Sequence, residues 1–239
     1  MTIARAGRGP QRRGPRRCPA GHGAAPQATG RRRTIGGVHP IERLRFVARA
    51  TGVPGDVLAV EATAALMTFA EDPPALVAGC RRVLARQVGC GPLWWACARL
   101  LTAQDVRRCA VETIEELEDD STDVALSLAL DHDPDTDPPV VHAAAVGCGS
   151  VLAPAGDLAA LEAAGPEGPA WVRVGVGVHL SDPMWGALVE HLPPSGAGPR
   201  HIVPLDRFTH VAGPVGPLPL VALGEPDCPV APELFRLAG

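Results

Sequence analysis

From residue 39 to about residue 120, apolar residues recur three or four positions apart, the spacing of amphipathic helices laid on a common core. Pro40 opens the first helix, where a missing N–H costs nothing. Ile41, Leu44 and Val47 form its apolar face, with Glu42, Arg43 and Arg45 off it. Gly52 and the Pro54-Gly55 pair break it. Asp56 stands at the start of the second helix, whose stripe is Leu58, Ala62, Ala65, Leu66 and Phe69. Asp72-Pro73-Pro74 stops that helix and starts a third, with Asp72 as its N-cap. In the third, Leu76, Cys80, Val83 and Leu84 face inward while Arg81, Arg82 and Arg86 face out. After a turn at 89–92, Leu93, Trp94, Cys97, Leu100 and Leu101 make a fourth stripe. Successive helical positions point about 100° apart, so one tryptophan of the Trp94-Trp95 pair fills the core and the other flanks it. A fifth helix over 103–120 buries Val106, Ala110, Ile114 and Leu117. Its acidic end, Glu115, Glu116, Glu118, Asp119 and Asp120, opposes the helix dipole and predicts fraying and a solvated face. A short helical segment over 124–130 follows.

The texture then changes. The stretch DHDPDTDPP at 131–139 is acidic and proline-bearing, and it is read as a linker. Asp133, Asp135 and Asp137 imitate the first ligands of a calcium loop, but Pro138 stands where glycine is needed and Ala144 where the closing glutamate belongs. Beyond it, β-prone runs at 140–141, 151–152, 171–178 and 201–205 alternate with helical patterns at 158–164 and 183–192. That alternation predicts an α/β layer with a mostly parallel sheet, short for a doubly wound one. The fold class expected is therefore α+α/β: a helical bundle over 39–130, a linker over 131–139, and a short, truncated Rossmann-like parallel-sheet domain over 140–239.

Composition adds exclusions. With 46% hydrophobic residues in 239, a real core can form. There is no Lys, so all 22 basic residues are Arg. A Walker A lysine, a pyridoxal Schiff base and a kinase-type strand lysine are excluded. Residues 1–38 carry nine Arg and no acid amid Gly and Pro, which predicts a disordered arm. Such an arm can bind nucleic acid or an acidic partner through counterion release; it is equally a solvated tail, an extension that is not translated in vivo, or a segment folded back on the acidic body. The seven Cys are odd in number and irregularly spaced, with no C-x-x-C, as free thiols in a reducing cytosol would be. No apolar run spans a membrane and no signal peptide is visible, so a cytoplasmic protein without membrane association is expected.

Chemistry-bearing patterns are sparse. Gly147-Cys148-Gly149-Ser150 begins like a dinucleotide fingerprint, but Leu152 occupies its third glycine position; Gly175-x-Gly177 fails likewise at Leu180. Gly147 and Gly149 can still expose amides to a phosphate and are ligand-binding candidates. Cys148 is a candidate nucleophile with no His or Asp at a recognised spacing. Asp157 and Glu162 flank the apolar segment GDLAALEA; they are either an acid–base pair or a cap and a surface charge. His179, His191, His201 and His210 are scattered, no metal-ligand pattern is present, and no cofactor is expected.

The segments HPIERLRFVARA, DPPALVAGCRRVLARQ, GPLWWACARLLTA, GDLAALEAAGPEG and DCPVAPELFRL together resemble an actinobacterial family related to the α, β and δ subunits of translation initiation factor 2B. Its wider kin are ribose-1,5-bisphosphate isomerase and methylthioribose-1-phosphate isomerase. The resemblance covers most of 39–130 and patches of 150–239, and GPLWW is its most specific piece. It implies a helical N-terminal domain followed by a Rossmann-like one. In the isomerases a Cys and an Asp at strand ends act on a phosphorylated sugar. Asp157 matches the place of that Asp, whereas Cys148 lacks the Thr-His-Cys setting of those enzymes. The function implied is a non-catalytic regulatory protein that binds a phosphorylated metabolite, a protein partner or a second copy of itself. The alternatives are a divergent sugar-phosphate isomerase using Asp157 and Cys148, and nucleic-acid binding through residues 1–38.

Overall fold

Proline starts several helices of this chain. Pro occupies the first turn of α1 (Pro40–Arg49), α3 (Pro73–Leu84) and α4 (Gly91–Thr102). The structure is a computed structural model that describes residues 39–131, 138–165, 168–194, 199–220, 223 and 225–237. The arginine-rich arm at 1–38 and the aspartates 133, 135 and 137 lie outside the described residues. The described residues all belong to one compact unit. The remaining helices of its first half are α2 (Gly55–Leu66), which runs on into a 3-10 turn, α5 (Val106–Glu118) and α6 (Thr122–Asp131).

Capping follows the sequence. Asp72 Oδ1 accepts from the Ala75 N–H at 3.0 Å and Asp105 Oδ1 from the Arg108 N–H at 3.0 Å. The stripe of α3 is buried as read: Leu76, Cys80, Val83 and Leu84. In α4 the burial goes all the way round, from Gly91 to Ala98 and again at Leu100, as it does for a helix enclosed by neighbours. Trp94 and Trp95 are both fully withdrawn from water. Neither flanks the core: Trp95 too is inside, because α4 packs against helices on one side and against β2 (Ala145–Gly147) on the other. The Gly91 N–H donates to the Ala144 carbonyl at 2.7 Å, and a Cβ at Gly91 would lie 2.6 Å from that oxygen. Only glycine permits this approach of helix to strand.

The second half adds β1 (Val140–His142), β3 (Ser150–Pro154), α7 (Ala155–Ala163), β4 (Trp171–Arg173), α8 (Asp182–His191), β5 (Arg200–Pro204), β6 (His210–Gly213) and β7 (Gly216–Leu218). One sheet runs β1-β4-β6-β7; its first three strands are parallel and β7 returns antiparallel. Val141, Val172 and Val211 sit in register across it and are fully buried. A second sheet, β2-β3-β5, is antiparallel. The architecture is thus a helical layer followed by α/β, with parallel and antiparallel pairing mixed rather than mostly parallel. The run 171–178 was read as one strand, but the strand stops at Arg173 and Gly177, at φ +70°, turns the chain over the Trp95 ring.

Two cores hold the unit. Leu161, Val151, Val203 and Phe208 close one around the parallel strands. The other joins the buried faces of α1 to α5 with Leu152, with Met184, Trp185 and Leu188 of α8, and with Cys228, Ala231 and Leu234 near the C-terminus. The helices therefore share their core with residues on the far side of the acidic stretch at 131–139. The six described cysteines are free. Among the described residues, no helix is long and apolar enough to cross a membrane.

Candidate functional site

In open α/β sheets, ligands sit outside the carboxyl ends of the parallel strands. Here that edge is built from the segment after β4 (residues 174–179), the turn after β6 (residues 213–215), residues 225–227 and Glu116 of α5, which together enclose a cleft of about 440 Å³. Its floor is fixed by ion pairs beneath it. Arg173, the last residue of β4, donates from Nε to Asp123 and lies 3.5 Å from Asp120. The Asp120 side chain is only 7% exposed. It accepts from the Thr122 N–H at 2.9 Å, from the Thr122 hydroxyl, and from the Val176 N–H at 3.2 Å. One carboxylate therefore caps α6 and clamps the segment that follows β4. A Cβ at Gly175 would lie 2.5 Å from Asp120 Oδ2, so glycine there leaves room for the clamp. The Arg173 hydrogen bond also holds the Asp123 carboxyl below its ordinary range. The acidic run ending α5 is not a solvated face throughout: Asp120 is one of its members.

On the other wall, Trp95 Nε1 donates to Asp227 at 3.1 Å. The Arg99 guanidinium lies 4.5 Å from the Trp95 ring centre and forms a forked pair with Glu116 at 2.6 and 2.8 Å. Around the cleft stand Glu116, Glu225, Asp227 and half-buried His179. Burial pushes the His179 imidazole below its ordinary pKa, while Asp227, Asp182 and Glu225 pull it back up. The two arginines close to the cleft, Arg99 and Arg173, are committed to carboxylates. The cleft consequently presents acid and a neutral-leaning imidazole, a field that repels phosphate and suits hydrogen-bond donors or a cation.

The candidates from the sequence fall elsewhere, and none of them lines this cleft. Gly147 ends β2, and a Cβ there would lie 2.6 Å from the Trp185 side chain, so its bareness accommodates a tryptophan. Cys148 and Gly149, at φ +46° and +66°, form the two-residue turn of the β2–β3 hairpin. Cys148 is exposed, and its partial burial together with the Asp182 carboxylate pushes the thiol up, away from a reactive thiolate. Asp157 lies in the first turn of α7; its Oδ2 accepts from the His142 N–H at 2.7 Å and sits 3.2 Å from His142 Nδ1. Glu162 is exposed, five residues further along the same helix and so on a different face from Asp157. The residues that shape the cleft were missed. Asp120 was hidden in an acidic run, and Gly175 and Gly177 were weighed only as a fingerprint.

No family model matches the chain, and no curated protein matches it. Solved structures do. It is similar to a chain of the tetrameric eIF2B-β2δ2 complex from C. thermophilum, at 14% identity over 77% of this chain and 92% of that one, with a TM-score of 0.60. It is similar to eIF2B β from Chaetomium thermophilum, at 13% identity over 77% and 89%, with a TM-score of 0.54. The translation initiation factor eIF-2B of Pyrococcus horikoshii OT3 resembles it at 14% identity over 75% and 96%, with a TM-score of 0.55. At these identities the likeness is one of fold: the chain has the α+α/β fold of eIF2B subunits.

Proposed function

We propose that this chain is a non-catalytic regulatory protein of the eIF2B type, related to the actinobacterial family that its segments resemble, which acts in the cytoplasm by binding partners and not by turning over a sugar phosphate. What supports this is the electrostatics of the carboxyl-edge cleft. Glu225 and Asp227 line it, and the nearby Arg99 and Arg173 are spent on Glu116, Asp120 and Asp123. A phosphorylated sugar entering that edge would meet like charge. The only thiol in the predicted catalytic set, Cys148, lies in a hairpin turn where partial burial and the Asp182 carboxylate push its pKa up. The eIF2B β2δ2 neighbour is itself a tetrameric complex, and assembly through protein contacts is the mode of action we propose here. The test is incubation of purified protein with ribose 1,5-bisphosphate and with methylthioribose 1-phosphate. No isomerised product is expected; conversion of either overturns the proposal.

One observation favours the isomerase reading. His142 and Asp157 pair at the carboxyl end of β1, beside Arg173 in the sheet register, and an imidazole oriented by a carboxylate is the usual form of a general base. Under that reading Asp157→Asn abolishes a measurable isomerisation. If a conversion is found and Asp157→Asn leaves it unchanged, this second reading loses its residues.

A further inference from the structure

A second cavity, of about 540 Å³, lies between the turn that joins α3 to α4 and the amino end of β5. Among the described residues its charged and titratable lining is Arg86, Arg200 and His201, with no Asp or Glu. Outside the arm at 1–38 the chain holds 26 acids against 13 Arg, so a cavity of this size with cations and no acid runs against the composition.

Arg200 carries the case. It is the first residue of β5, opposite Pro154 of β3. Its guanidinium reaches across Gly89, where a Cβ would lie 2.1 Å from a terminal nitrogen and 2.9 Å from Cδ. The bare glycine backbone is what lets the side chain lie there. Arg200 is half-buried, and that burial pushes its pKa below the ordinary arginine value. Among the described residues it has neither a carboxylate partner nor a hydrogen bond. By contrast Arg43, Arg45, Arg99, Arg107, Arg108 and Arg173 are each paired with an acid. A guanidinium partly taken out of water without a counter-charge loses some of its hydration, and an anion from solution would offset that loss. Leu192 and Ile202 give the same cavity an apolar wall.

We propose that this cavity binds a small organic phosphate monoester, with its dianionic head held by Arg200 and Arg86 and its apolar portion laid against Leu192 and Ile202. Two guanidinium groups match the two charges and several oxygens of a phosphate better than a single-charged carboxylate. The inference is independent of the proposal above, because it concerns a different place from the carboxyl-edge cleft and no turnover.

The test is calorimetric titration of the full chain at low salt with phenyl phosphate, benzoate and benzyl alcohol. Saturable one-site binding of phenyl phosphate is expected, at least tenfold tighter than benzoate, with no heat from benzyl alcohol. Arg200→Gln should weaken phenyl phosphate at least tenfold, Arg86→Gln several-fold, and Gly89→Ala, which pushes the guanidinium aside, by an intermediate factor. Binding through the nine arginines of the arm would be unchanged in all three variants, and that result overturns the proposal. Absence of binding at millimolar phenyl phosphate, or binding of benzyl alcohol equal to it, overturns it too. Should Arg200→Gln fail to fold, Arg86→Gln, at an exposed position, decides alone.

Discussion

Arg173 and Arg200 are the same side chain in opposite circumstances. Arg173 ends β4 and lies between Asp120 and Asp123; Arg200 begins β5 and, among the described residues, has no acid beside it. The first charge is consumed inside the fold, where it fixes the segment over the carboxyl-edge cleft. The second is held in place by a glycine and left facing a cavity. The pairing of a half-buried cation, more than its burial, therefore separates a structural arginine from one available to a ligand. The largest way to break this comparison is Asp120→Ala. That change removes the N-terminal cap of α6, the Val176 clamp and one partner of a poorly exposed arginine. The expected cost is about 3 kcal/mol, or a fall of roughly 9 °C in Tm for a chain of this size, read by thermal unfolding. A Tm unchanged to within a degree would mean that Asp120 and Arg173 are not the clamp they resemble.

A smaller effect tests the opposite wall of the cleft. Trp95→Phe keeps an aromatic ring in the core but deletes the N–H that Asp227 accepts and weakens the stacking of Arg99. The expected loss is about 1 kcal/mol. A loss of the size a buried Trp→Ala change gives, about 3–5 kcal/mol, would mean that packing volume and not the polar tether holds this wall.

The two halves of the chain differ in how openly they are written. The helical stripes were legible because one residue in every turn repeats the signal. Leu76, Cys80, Val83 and Leu84 announce α3 together, and Asp72 announces its start. Strands β2, β6 and β7 are three or four residues long and contain Gly or Pro, too few positions for an alternation to show. The placement of Trp95 depended on a strand that the sequence did not reveal. Function was harder still. Asp120 matters through Arg173 and Val176, more than fifty positions away, and in sequence it is one acid among several. Asp157 looked like a catalytic carboxylate, and its oxygen lies on the amide of His142. Arg200 is informative for the acid it lacks, and no linear pattern records a missing neighbour.

Acid sharpens the comparison by reading the carboxyl edge without mutation of its core. The folded His179 pKa is depressed below the ordinary 6.5, so its contribution is present above that value and is lost as pH falls through the folded pKa. The Asp123 pKa is likewise depressed, below the ordinary 3.8, so its contribution is lost later, as pH falls from about that value downward. Both signs agree: stability declines on acidification, in two windows. Chemical denaturation across pH 7 to 3 should show the upper decline shrink in His179→Gln and the lower one shrink in Asp123→Asn. Declines that neither variant alters would place the acid sensitivity elsewhere.

The smallest expected effect is the one that bears hardest on Arg200. If its guanidinium were a structural cation like that of Arg173, Arg200→Gln would cost several kcal/mol, because breaking a buried pair strands its partner. Among the described residues no partner exists to strand, and the variant removes a half-buried charge at the same time. Stability should therefore change by less than about 1 kcal/mol, in either direction, in the absence of added anion. Phenyl phosphate should then raise the Tm of the unaltered chain and leave that of the variant where it was, since a ligand stabilises only the fold that binds it. A large loss of stability in Arg200→Gln without ligand would merge the two arginines into one class and remove the ground for treating the β5 cavity as a site.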